Sequence, residues 1–197
     1  MKMTKLQAVN IILSNVGQAP VTNLESANPI AQLATGVLAE VSGAVQSEGW
    51  SFNTEYEYPV SPDDDGHIIL PEDIISYDAS PFERIDPIVR DGKLYDRRGH
   101  TFIFEKKSYK FDVVWQIDFD SLPEPAKQYI VARAAGLYAA RAVGAVDVSK
   151  YNDKEEAMAR ANLIQYECDQ ADPNVFQGPD GRHLTRGFQT FAPVYRY

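Results

Sequence analysis

Cysteine is almost missing from this chain. Cys168 stands alone, so no internal disulfide can form and no cysteine-based zinc site either. Histidine is nearly as scarce. His67, His100 and His183 lie far apart and have no metal-ligand partners at helical spacing, which reads as three surface histidines. No apolar run approaches the roughly 18 to 20 residues that cross a bilayer. The start, Met1-Lys2-Met3-Thr4-Lys5, is basic, but an amphipathic pattern with Asn10, Ser14 and Asn15 follows it where a secretory signal would carry an apolar block. The expectation is a protein made and kept, or assembled, in the cytosol. Positive charge is short as well: 19 Lys and Arg face 28 Asp and Glu, a formal net charge of -9. That argues against gripping nucleic acid through a basic surface, though not against nucleic acid passing by.

The familiar chemical signatures are absent too. There is no Gly-x-Ser-x-Gly elbow, no phosphate-cradling Gly-x4-Gly-Lys-Ser/Thr loop and no dinucleotide fingerprint. Asp63-Asp64-Asp65 offers oxygen ligands to a hard cation, but lacks the spaced ligands and distal glutamate of an EF-hand, and reads as a solvated acidic turn. A pair of carboxylates could serve glycoside hydrolysis. Among 28 acids such a pair arises by chance, so the sequence gives that reading almost no support. Cys168 reads as a small core residue. No catalytic, cofactor-binding or metal residue is assigned, and the residues themselves point to a non-enzymatic assembly protein.

What is present is a core and a clear change of period. With 197 residues, 44% of them hydrophobic, the chain forms one domain or one domain carrying a substantial insertion. Thr4 caps a helix with Leu6, Val9, Leu13 and Val16 on one face, and Gly17 ends it. Asn28-Pro29 starts a second helix with Ile30, Leu33, Val37, Val41 and Val45, running to Gly49. Its other side is Ala, Ser, Thr and Gly, so it is expected to be buried on more than one side. At Gly49-Trp50 the period falls from about 3.6 to 2, with Trp50, Phe52, Thr54, Tyr56 and Tyr58 in one row: a helix hands over to a strand. Trp50 and Phe52 are expected in the core.

Strand and turn signals continue to about Asp120. His67-Leu70 reads as a short strand, and Arg84-Arg90 as an edge strand because of Pro87. Asp91-Gly92 is a hairpin turn returning through Lys93-Asp96, and Thr101-Phe104 is a further strand. The clearest strand alternates Phe111, Val113, Trp115, Ile117 and Phe119 with polar residues, Val114 excepted. Helical period resumes after Leu122-Pro123-Glu124-Pro125 with Ala126, Tyr129, Ile130, Arg133, Ala134, Leu137, Tyr138 and Arg141 on one face, closing at Gly144. Asn152-Asp153-Lys154-Glu155 makes a capping box for a fourth helix with Met158, Ala161, Ile164 and Cys168 inward.

The expected fold class is α+β: an antiparallel four-helix bundle with an antiparallel β region inserted between helices two and three. Residues 1–49 and 122–172 make the bundle, 50–121 the β domain and 173–197 an extended C-terminal arm. The arm differs from all that precedes it. It carries Arg182, Arg186, Phe188, Phe191, Tyr195, Arg196 and Tyr197, with no acid past Asp180. Aromatics and arginine are the types enriched at interface hot spots, so these seven are the candidate partner-interface residues.

Several stretches together resemble one family. They are Ala8-Val9-Asn10 with Leu13 and the exit Gly17-x-x-Pro20-Val21; Gly49-Trp50-x-Phe52-Asn53 with Glu55; Tyr95-Asp96-Arg97; and Leu122-Pro123-Glu124 followed by Tyr129-Ile130-Val131 and an alanine-rich helix. Their order and spacing over about 170 residues resemble the tail tubular protein A family, the head-to-tail adaptors (gatekeepers) of short-tailed phages. The correspondence ends at Asp172. The resemblance implies a structural, non-enzymatic protein with no cofactor, assembled in the host cytoplasm into a dodecameric ring of the virion tail. Such a ring sits between portal and tail nozzle, its partners are itself and those two proteins, and DNA leaves through the lumen without specific binding. No membrane partner is implied. An acidic lumen would repel phosphates and let DNA slide. Two other readings stand beside it: a tail-associated polysaccharide-degrading hydrolase, and a monomeric accessory assembly protein.

Overall fold

In the computed structural model, described for residues 2–24, 28–105, 107–142 and 146–171 (side chains 153–170 in the last stretch), the chain divides into two compact units. One is built from the residues up to Ser51 together with those from Asp118 onward; the other is Phe52–Ile117. Among the described residues the fold is mixed α/β, with four α-helices and antiparallel sheets.

The helical unit contains α1 (Lys5–Asn15), α2 (Pro29–Gln46), α3 (Glu124–Ala142) and α4 (Val146–Ala171). Thr4 and Gln7 form a reciprocal capping box at the start of α1. At its end the Gln18 amide donates to the Leu13 carbonyl and the Gly17 amide to that of Ser14, a paired closure that needs the left-handed backbone of Gly17, φ +72°. Asn28 caps α2, with Pro29 in its first turn, as expected. α3 packs against the other three helices, and α1 against α2. The core here is Val9, Ile12, Leu13, Val37, Leu38, Val41, Ile130, Ala134 and Tyr138.

Three helical expectations are corrected. On α2 the buried residues are Ala31, Ala34, Val37, Leu38, Val41, Ser42, Val45 and Gln46, while Ile30 and Leu33 are exposed; the small residues are divided, with Gly36, Ala39 and Ala44 exposed. α4 begins at Val146, so the box at 152–155 lies inside the helix and not at its start. The face expected inward on α4 points outward: Met158, Ala161, Ile164 and Cys168 are all exposed. Leu163 is its one buried residue between 153 and 170. Gly144 and the arm fall outside the described residues.

The β unit holds a three-stranded antiparallel sheet, β1 (Thr54–Val60), β2 (Ile74–Ala79) and β5 (Tyr109–Trp115), in the order β1-β5-β2. A hairpin, β3 (Pro87–Arg90) and β4 (Lys93–Asp96), forms a second sheet. It turns at Asp91-Gly92, φ +52° and +74°, the left-handed pair that a two-residue hairpin requires. Val60, Ile68, Leu94, Phe104, Tyr109, Phe111 and Val113 form its core.

The row beginning at Trp50 is not one strand. Trp50 has no regular structure, residues 51–53 are turn, β1 starts at Thr54, and Glu57 (φ +54°) bulges between Glu55 and Tyr58. The extra residue resets which side chains face the core, leaving Tyr56 exposed. Trp50 and Phe52 are only half-buried. His67–Leu70 makes no strand, although Ile68 is buried and its carbonyl accepts from Leu94. Thr101–Phe104 keeps a single bridge, from Thr101 to Asp96. The row continuing to Ile117 and Phe119 stops at Trp115, and Phe119 is buried from a single 3₁₀ turn, Phe119–Ser121. β2 carried no strand signal in the sequence reading.

Candidate assembly interface

The stretches that carry the family resemblance fold into joints. Asn10 holds Val21 by both backbone groups: its Nδ2 donates to the Val21 carbonyl (3.0 Å) and its Oδ1 accepts the Val21 amide (2.8 Å). This staples the chain leaving α1 back onto that helix. At Gly49 the backbone turns left-handed (φ +74°), and the Trp50 indole N–H donates to the Val45 carbonyl (2.7 Å), which also accepts the Glu48 amide (3.2 Å) at the end of α2. Asn53, almost fully buried, exchanges hydrogen bonds with the Trp115 backbone at 2.8 and 2.9 Å.

Asp96 shows why a Tyr-Asp-Arg run sits at its turn. Its buried carboxylate accepts the amides of Asp86 (2.9 Å), Arg98 (3.0 Å) and Gly99 (2.9 Å). Arg97 then bridges to Asp86 at 2.7 Å. Gly99 is required by contact, since a Cβ there would stand 2.7 Å from Asp96 Oδ2. Near the start of α3, Glu124 accepts the Met3 amide, Asp120 accepts that of Lys5, and the fully buried Lys127 ammonium donates to the carbonyls of Met3 (2.9 Å) and Asp120 (3.0 Å). These bonds tie the first residues of the chain to α3.

Polar links also fasten α4. Arg160 reaches Glu48 (3.1 and 3.3 Å) and the buried Tyr129 hydroxyl (2.7 Å), while Arg133 lies between Glu48 and Glu156 at 3.8 and 3.9 Å. Hydrogen bonding to Glu48, then to Tyr129, raises Arg160 further above its ordinary value. The Ser51 amide and hydroxyl both donate to Glu167. On the surface Arg141 forks onto Glu40 at 2.6 and 2.9 Å, and that hydrogen bonding holds the Glu40 carboxyl below its usual range.

Nothing in these arrangements builds a reaction centre. Two shallow grooves run beside α1, one of about 310 Å³ between α1 and α3; each has one carboxylate in its lining, Glu155 or Glu124, and Glu124 is already engaged by Met3. No group of three or more His, Cys, Asp and Glu could hold a metal ion among the described residues. In the acidic loop, Asp63 accepts the amides of Asp65 and His67, so it closes its own turn. No helix among the described residues is long and apolar enough to cross a membrane.

The seven arm residues, Arg182, Arg186, Phe188, Phe191, Tyr195, Arg196 and Tyr197, lie outside the described residues. Sequence reasoning missed a different surface. The exposed large apolar side chains of the helical unit include Ile30 and Leu33 on α2, and Met158 and Ile164 on α4. The signal was available in the spacing of α4, but it was assigned to the core.

A family model described as "Tail tubular protein" matches residues 6–173. The chain belongs to the tail tubular protein family. Tail tubular protein A of Klebsiella phage KP34 is 34% identical over 129 residues, 65% of this chain and 67% of that protein. As a member of this structural family the chain is a component of a phage tail and is carried in the virion. The family match ends at residue 173, so the arm's residues lie beyond it.

Proposed function

We propose that the chain is a head-to-tail adaptor: copies close into a ring, dodecameric as the resemblance implies, between portal and tail nozzle, and the genome leaves through its lumen. The observation that carries this reading is the family match over residues 6–173, in which every stretch bearing the resemblance folds into a joint. Side chains committed to fixing a rigid subunit suit a protein that bears load and passes DNA, without catalysing a reaction. In this reading the bundle is residues 1–49 and 122–172, the β domain 50–121 is inserted in it, and 173–197 is an arm that orders on a neighbouring protein. The net charge of -9 supplies an acidic lumen that repels phosphate.

Native mass spectrometry of the purified chain, over a range of concentrations and with portal added, tests the reading. A closed ring, alone or on the portal, is the expected result; a persistent monomer that ignores portal overturns it. Deleting residues 174–197 is expected to leave the fold intact, by circular dichroism, and to weaken portal binding or ring closure. Normal assembly of that truncation removes the arm's role.

A further inference from the structure

The inward face of α4 is held by charge more than by apolar packing. Glu156, Arg160, Leu163 and Glu167 recur at steps of four, three and four, the spacing of one helix face. Leu163 is fully buried; the other three are half-buried, as are Ala159 and Tyr166 beside them. A face turned to the core is ordinarily apolar, and α1 follows that rule. Its 11 residues bury Ala8, Val9, Ile12 and Leu13 completely. Residues 153–170 of α4 bury Leu163 alone.

The remaining fastenings are ionic or polar, and most of them meet at one carboxylate. Glu48, just past the end of α2, accepts hydrogen bonds from Arg160 at 3.1 and 3.3 Å and lies 3.8 Å from Arg133 of α3. Arg133 also lies 3.9 Å from Glu156, and Arg160 donates to the Tyr129 hydroxyl at 2.7 Å. Two turns further along α4, Glu167 accepts the Ser51 amide and hydroxyl at 2.9 and 2.8 Å. The side chains of Glu48, Glu156, Arg133 and Arg160 are 30 to 42% exposed, so ions in the solvent reach all four. Salt screens charge pairs in such a position, and it leaves the buried apolar contacts of α1, α2 and α3 in force.

We propose that residues 153–170 of α4 form a salt-released latch: they open from α3 and from the Glu48–Ser51 segment as one element, while the rest of the helical unit stays folded. Local opening of this kind is drawn from elements with few buried apolar contacts. Opening breaks the Glu48 and Ser51 links together and bares the hydroxyl of the otherwise buried Tyr129. Salt acts in opposite senses on local and global unfolding. In a chain of net charge -9 it relieves self-repulsion and favours the compact state, yet it weakens the pairs that close α4. Such a latch lets α4 change place while its unit keeps its core. The inference does not depend on the ring reading.

The experiment is hydrogen–deuterium exchange of the full chain at low and high sodium chloride, about 0.05 M and about 1 M, at a protein concentration where sedimentation shows one species in both. Amides of residues 156–167 exchange roughly fivefold faster or more at the higher salt, and do so together, while those of α1 and central α3 hold or slow. Glu48→Gln keeps the shape of the side chain and removes its charge. It quickens exchange of the same amides at low salt and blunts their response to salt. Leu163→Ala quickens them too but leaves the salt response in place, since it removes no charge. Exchange over 156–167 as slow as in central α3 at both salts overturns the latch. Fast exchange that is indifferent to salt overturns it as well, and so does protection that fades evenly inward from residue 170, which is ordinary fraying of a helix end.

Discussion

Single side chains in this protein act mostly on backbone, and two of them carry clear consequences. Asp96 is buried and collects three amides across a turn, so Asp96→Ala leaves those donors with no acceptor. The expected loss is about 1–3 kcal/mol, read as a lower urea midpoint with an unchanged slope. Lys127 is buried on two carbonyls, with its ammonium also 5.8 Å from the centre of the Phe119 ring. Lys127→Met keeps the volume and removes the donors. Its cost is of the same order, about 1.5–3 kcal/mol for hydrogen bonds from a charged group. Amide exchange would quicken at residues 2–5 and 118–121, while the centre of α3 stays protected. Unchanged exchange there would refute the clamp. Neither role could be read in the sequence, where a lone aspartate beside arginine looks like a surface charge and a lysine in a helix looks like its solvent face.

At the scale of elements, the caps and turns were legible because they depend on neighbours in sequence. Thr4, Gly17, Asn28-Pro29 and Asp91-Gly92 do what their local chemistry dictates. β5 was legible too, since Tyr109, Phe111 and Val113 alternate inward without interruption. What failed depends on partners distant in sequence. The bulge at Glu57 shifts β1 by one residue against β5, and one residue is enough to turn a row from core to solvent. On α4 the apolar period was read correctly as a period, but long-range pairing to Glu48, Tyr129 and Ser51 selects the other face to go inward. The candidate arm residues were assigned from composition, and the described residues do not reach them.

One pH effect belongs at this scale. Arg141 holds the Glu40 carboxyl below its ordinary value, chiefly through hydrogen bonds, so in acid the folded state binds fewer protons there than the unfolded one. The α2–α3 link therefore stabilises the fold above the ordinary glutamate range and is lost as pH falls through the lowered value. Because the pair is exposed, the effect is small. Glu40→Gln should lower stability slightly at neutral pH, leave it unchanged in strong acid, and so flatten that part of the acid limb in a stability-versus-pH titration.

For the whole molecule, what matters is how one unit is set inside the other along the chain. The β unit interrupts the helical one between α2 and α3, and Asn53 near its beginning is hydrogen-bonded directly to Trp115 near its end. With its own core and its two ends already joined, a fragment spanning 52–117 is expected to melt cooperatively by itself. A fragment without a sigmoidal transition would contradict this. The wider consequence of the Asn53–Trp115 clasp is interchangeability. Entry and exit are held side by side, so whatever is carried beyond that point is, to the helices, a loop of nearly fixed width. Such a clasp lets the helical scaffold be kept while the inserted segment is enlarged, trimmed or exchanged.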